Sequence, residues 1–199
     1  MKQIVKEPLN LKNYQTKEDI LWKDMRELER IIETFGEEDT DLLSRRTCAI
    51  FYGIDEKTYR ILTLEQIDLL VNTIMTILKG PKSELQNQIE MDGIKYGFIP
   101  NFEKITAGEL IDLDTLLQEG EFTKIASILY RPIISNANKS GEYLIEPYSG
   151  YDDKFEMINL QVIEGFVTFF LNASQQLKEG TRLYMEQNQE NQQTNPIKE

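Results

Sequence analysis

The chain has no histidine. That removes the commonest general base and the commonest zinc ligand. A single cysteine, Cys48, excludes an intramolecular disulfide and any thiolate cluster, and a lone thiol in an apolar helical pattern fits synthesis in the reducing cytosol. Positive charge is scarce: 22 Lys and Arg stand against 34 Asp and Glu, a formal net charge of −12. Phosphate neutralisation needs clustered cations, so direct nucleic-acid binding is not expected. No apolar run approaches the ~20 residues that span a bilayer, and the opening MKQIVKEPLN lacks the apolar stretch of a secretion signal. Neither a membrane partner nor export is therefore expected. The Walker pattern GxxxxGK[ST], a GxGxxG after a strand and a nucleophile elbow are all missing.

What is present is local structure, and it is densest over residues 88–148. Asp92-Gly93 lies between Ile89-Glu90-Met91 and Ile94-Lys95-Tyr96, the strongest short-range signal for a two-residue hairpin turn. Thr106-Ala-Gly-Glu109 is a capping box, in which the threonine oxygen accepts from an orphan helix N–H and the glutamate reaches back. Leu110, Ile111, Leu113, Leu116 and Leu117 follow, so a helix starts there. Phe122 to Tyr130 is a short, nearly all-apolar segment that Pro132 terminates at Arg131. Asn136 to Gly141 is a loop by composition, and Glu142 to Glu146 reads as a short strand that would pair with the hairpin.

Upstream, residues 1–15 show no period and read as an extended lead-in. From Thr16 a helix is predicted, with Ile20, Leu21, Met25, Leu28, Ile32 and Phe35 at three- and four-residue steps before Gly36. Trp22 falls beside that stripe; it reads as the rim of the core, with a docking anchor as the alternative. The acidic run Glu37 to Asp41 is explained as a helix N-terminus rather than a metal site, because the dipole favours carboxylates there. Gly53 closes that helix, and Thr63-Leu-Glu-Gln66 caps another that ends at Gly80-Pro81. Downstream, Ile158 to Leu177 is apolar around most of a helix circumference and should be central, with Gly165 marking a close helix approach. The tail from Gln187 has the composition of a disordered segment.

The fold class that follows is mainly α: a helical domain of about six helices with one small antiparallel β-hairpin. The organisation is a lead-in at 1–15 and one α-dominated domain at 16–186, made of a helical part at 16–80 and a hairpin with helical core at 88–186, followed by a polar tail at 187–199. The expected core is Leu28, Ile32, Leu70, Ile74, Leu113, Leu116, Leu129, Phe166, Phe169 and Phe170.

Few side chains suggest chemistry. Arg131, a lone cation after an apolar run, reads as pairing with a nearby carboxylate or capping helix carbonyls rather than binding a phosphate. Asp112/Asp114 and Asp152/Asp153 are hard oxygen donors suited to Mg²⁺, but the first two lie two apart on a helix and do not face the same way. No catalytic, cofactor-binding or metal-binding residue is assigned, and no enzyme activity is expected.

Five stretches carry a resemblance: DGIKYGFIPNF (Asp92 to Phe102), ITAGELIDLDTL (Ile105 to Leu116), ILYRPI (Ile128 to Ile133), YLIEPY (Tyr143 to Tyr148) and FVTFFL (Phe166 to Leu171). With them the chain resembles a family of small tailed-phage proteins, frequent in phages of Bacteroidetes and encoded among virion morphogenesis genes. The resemblance covers about residues 88–178; the N-terminal helices share only hydrophobic pattern. It implies a non-enzymatic, chaperone-like tail-assembly factor acting in the host cytoplasm on other phage structural or assembly proteins, with self-association as an option. The alternative it implies is a permanent virion component such as a head–tail neck or ring subunit.

Overall fold

The structure is a computed structural model that describes residues 11–36, 38–136 and 143–194. Most of the lead-in, Glu37, most of the loop at 136–141, Glu142 and residues 195–199 therefore lie outside the described residues. In chain order the elements are α1 (Trp22–Phe35), α2 (Thr40–Tyr52), α3 (Glu56–Tyr59), α4 (Leu64–Leu78), β1 (Gln88–Met91), β2 (Ile94–Phe98), α5 (Ala107–Glu119), α6 (Phe122–Leu129), β3 (Tyr130–Asn136), β4 (Tyr143–Ile145) and α7 (Leu160–Thr194). The chain is mainly α with an antiparallel β element, as the pattern predicts.

The β element is larger than a single hairpin. Its four strands are ordered β1-β2-β3-β4, every neighbour antiparallel. The hairpin turn is where it is predicted, with Asp92 at φ 50° and Gly93 at φ 75°. The missed strand is β3, Tyr130–Asn136: the sequence shows there only a short apolar segment that Pro132 terminates at Arg131, followed by a loop from Asn136. Ile99 N–H donates to Leu129 O at 2.9 Å, which makes the Ile99/Leu129 pair hydrogen-bonded and, by alternation, the Tyr96↔Pro132 pair three rungs further along non-hydrogen-bonded. The N–H that Pro132 lacks would point away from β2, so no β2–β3 bond is lost. The strand at Tyr143–Ile145 pairs with β3 rather than with the hairpin. It curls back so far that the Tyr143 ring covers Gly97, where a Cβ would lie 2.3 Å from Cε2.

Three more expectations need correction. Thr16 does not open the first long helix: Asp19 Oδ2 accepts from Gln15 N–H and Thr16 N–H, both at 2.9 Å, and closes a single 3-10 turn, Lys17–Asp19. Ile20 is then extended and Leu21 bridges Asn159, so α1 starts only at Trp22. Of the expected core, Leu28, Ile74, Leu113, Leu116, Leu129 and Phe166 are buried, Ile32, Leu70 and Phe169 are half-buried, and Phe170 is 37% exposed because α7 is leaving the body there. The helix also continues past Gln187 to Thr194, where a disordered tail is predicted; at ~1.5 Å per residue its 35 residues reach roughly 52 Å.

Two halves result. In the first, α1 and α4 pack on α2 around Tyr14, Ile20, Leu28, Phe51 and Ile74, with a smaller cluster at Cys48, Ile54, Tyr59 and Ile67. The second is built on one cluster from the sheet, α5, α6 and the start of α7, including Phe98, Leu116, Leu129, Tyr130, Phe155 and Phe166. Trp22 packs against the cores of both halves, its ring 5.4 Å from Phe122 in an edge contact, which agrees with the rim reading. Backbone bonds help join them: Trp22 N–H donates to Ile158 O at 2.9 Å and Leu160 N–H to Ile20 O at 2.8 Å.

Candidate functional site

Three places bring polar side chains together. The first lies between β3 and α5. Arg131 Nη2 is 2.9 Å from Glu109 Oε1, with the two side chains 13% and 3% exposed. Glu109 is held on its other oxygen by the capping box, since Oε2 accepts from Thr106 N–H at 2.6 Å. One turn along α5, Asp112 accepts a hydrogen bond from the Tyr148 hydroxyl. Burial, and then the Asp112 carboxylate it bonds to, push the Tyr148 hydroxyl pKa well above the usual tyrosine range. Arg131 Nε is buried without a hydrogen-bond partner. The arrangement fixes β3 and the segment after β4 to α5, and the carboxylate partner expected for Arg131 is Glu109.

The second joins the halves. Lys17, 8% exposed, donates from Nζ to both Glu164 oxygens at 2.7 Å and to Pro81 O at 2.9 Å. Ser83 adds its N–H at 2.9 Å and its hydroxyl at 2.6 Å to Glu164 Oε2. Burial alone would raise the Glu164 pKa, but the bonds from Lys17 and Ser83 outweigh it and hold the carboxyl below the usual range. The adjacent Gly165 explains the fit: a Cβ there would be 2.6 Å from Glu84 O, so the close approach is by the 79–87 connection and not by a helix. Sequence reasoning passed over this network. Its signal was Glu164, a carboxylate inside the most apolar helical run.

The third is an open groove of about 490 Å³ between β1 and the start of α7. Its apolar lining includes Ile89, Ile158 and Val162, and its rim carries Glu18, Glu90, Asp92 and Lys154.

The weighed carboxylates do not converge. Asp114 accepts from Gln118 Nε2 at 3.0 Å on the exposed side of α5, while Asp112 is taken by Tyr148. Asp152 accepts from Lys154 Nζ at 2.6 Å, and Asp153 stands at the start of the Lys154–Met157 turn. Among the described residues no group of three Asp, Glu, Cys or His could hold a metal ion. Asp39, from the acidic run, accepts from Leu42 N–H at 3.0 Å and caps α2. Cys48 is fully buried, and burial raises its thiol pKa, so the reactive thiolate is disfavoured. Tyr14, buried and close to Asp24, is raised to about 12 and donates to Phe51 O at 2.6 Å. No described helix is long and apolar enough to cross a membrane.

The chain matches no protein-family model, no curated protein and no solved structure.

Proposed function

We propose that the chain is a non-enzymatic phage virion morphogenesis protein, one that binds another phage protein in the host cytoplasm during tail assembly in the manner of a chaperone. The observation that carries the reading is where the resembling stretches go. Phe98 from the first, Leu113 and Leu116 from the second, Ile128 and Leu129 from the third and Phe166 from the fifth lie in one buried cluster, with Ile145 and Tyr148 from the fourth packed against it. Motifs that are weak singly thus belong to one body. Surface chemistry also supports contact: α5 leaves Leu110 and Leu117, two turns apart on one face, exposed with Ile111 beside them.

The test is co-expression with neighbouring virion genes, affinity purification of the full chain, and mass spectrometry of purified particles. Retention of a phage protein by a chain absent from particles is the expected result. Presence at fixed copy number in particles would instead favour the neck or ring subunit, a symmetric assembly role. A chain that stays monomeric, retains nothing and is missing from particles defeats both.

A further inference from the structure

We propose that the free edge of β1 takes up an extended, lysine- or arginine-bearing segment of a partner protein as an additional strand. The inference rests on the reading that this chain works by protein contact, and names the surface and the chemistry of what it holds.

In a two-residue hairpin Met91↔Ile94 is a hydrogen-bonded pair, so alternation makes Ile89↔Tyr96 bonded and Glu90↔Lys95 and Gln88↔Gly97 non-bonded. The bond from Phe98 N–H to Asn87 O at 2.9 Å, the next pair in the series, fixes that parity. The N–H and C=O groups of Gln88 and Glu90 therefore point away from β2. β1 ends the strand order, so no described strand receives them. What lies beside them is the groove, whose lining takes in every residue of β1. An open sheet edge leaves its backbone groups to water, and an incoming strand replaces that water with main-chain bonds while its side chains alternate between two environments.

Those two environments differ. On the Ile89 and Met91 side the groove's accessible apolar lining is the half-buried Met91 and the 58% exposed Met157, backed by the buried Ile158 and Val162, which suits apolar side chains. Its rim sets Glu18, Glu90 and Asp92 against Lys154, and Lys154 Nζ is already engaged by Asp152 at 2.6 Å. On a chain of net charge −12 this rim favours a cationic partner segment. The edge is also held in place before anything binds: Tyr130 hydroxyl donates to Gln86 O at 2.8 Å, and Tyr143 hydroxyl is shared between Asn87 O at 2.8 Å and Phe98 O at 2.7 Å, pinning the chain leading into β1. A prearranged edge loses little freedom on binding.

The test uses the full chain, ¹⁵N-labelled, titrated with an amidated octapeptide alternating valine and lysine and with its valine–glutamate counterpart. The expected result is saturable shifts greatest at the Gln88 and Glu90 amides, slowed hydrogen exchange at those two positions, and at least tenfold weaker binding of the glutamate peptide. Glu90→Pro deletes one outward N–H without touching a β1–β2 bond and should weaken binding at least tenfold; Gln88→Pro is the second variant should the first not fold. Shifts spread over the acidic surface without a maximum at Gln88 and Glu90, or equal binding by the proline variants, overturn the proposal. Retention of a co-expressed phage protein, measured in parallel, separates the two failures. A partner held equally by Glu90→Pro sinks the edge site and leaves the contact reading; peptide capture with no phage partner sinks the tail-assembly reading and leaves the site.

Discussion

The two halves of the molecule solve the same packing problem differently. Residues 16–80 distribute their buried apolar side chains over two small clusters. Residues 88–170 gather sixteen buried residues, among those described, into one cluster sealed by aromatic contacts such as Phe98–Tyr130 and Tyr96–Phe155 at 5.2 Å. Helices can be stabilised turn by turn through caps and a modest stripe. A sheet cannot: its strands are ordered only when a common core is present. The second half should therefore be the more cooperative unit and the first the more easily opened.

The largest effect expected is at the shared core. Phe166 is 1% exposed, and Phe166→Ala should cost about 3–5 kcal/mol. Protection from hydrogen exchange should fall across β1, β2, β3 and α6 together. Leu28→Ala, also 1% exposed, should cost about 2–5 kcal/mol but release mainly α1 and α2. Equal loss of protection in both halves for both variants would erase the distinction. Arg131→Met comes next, because it strands Glu109 in the interior; breaking a buried pair from one side costs about 3–5 kcal/mol. Arg131→Met with Glu109→Gln should recover part of that, since the uncompensated charge is then gone. A double variant no more stable than the single would show that the pair matters through shape alone.

The tie between the halves is smaller and pH-dependent. Lys17→Met leaves the Glu164 carboxylate with Ser83 only, a loss of about 1–3 kcal/mol. Because the folded Glu164 pKa lies below its unfolded value, its contribution is present above the usual carboxylate range and is lost as pH falls through the depressed folded value. Lys17→Met should flatten the acid side of the stability–pH curve. Tyrosines act at the opposite end. Tyr14, raised to about 12, and Tyr130 and Tyr148, raised further mainly by burial, contribute stability that is complete below pH ~10 and drains as pH rises above the free tyrosine value. Unfolding by alkali monitored at the tyrosinate absorbance checks the sign; stability that climbs above pH ~10 would contradict it.

How legible each half was follows from the same physics. Caps and turns are written in a few adjacent residues, so Asp92-Gly93, Thr63 with Gln66 and Thr106 with Glu109 were readable without any tertiary knowledge. β3 was not, because the property that admits Pro132 is its rung in a ladder with residues more than thirty positions upstream. The Thr16 pattern misled for a related reason. Its local bonds are real, but the chain beyond them is drawn straight by the bridge from Leu21 to Asn159, a long-range partner. The Lys17–Glu164 network joins positions 147 apart and shows in sequence only as a carboxylate in an apolar run.

The finest comparison uses two caps of the same local geometry. Gln66 N–H donates to Thr63 Oγ1 and Glu109 N–H to Thr106 Oγ1, each at 3.2 Å, and in both boxes the N3 side chain accepts from the threonine N–H, at 2.9 and 2.6 Å. Thr→Ala at either position should cost about 1 kcal/mol if a cap is a purely local device. The surroundings differ, however: Gln66 is exposed on the outer helix of the first half, whereas Glu109 is buried and bridges to Arg131 in the second. Losing the Thr106 hydroxyl loosens the end of α5 on which the ion pair depends, so Thr106→Ala should exceed Thr63→Ala, and the excess should vanish when both are remeasured in the Arg131→Met, Glu109→Gln background. Equal costs in the parent chain would mean that the capping box and the ion pair are independent, and that the greater cooperativity of the second half lies in its apolar cluster alone.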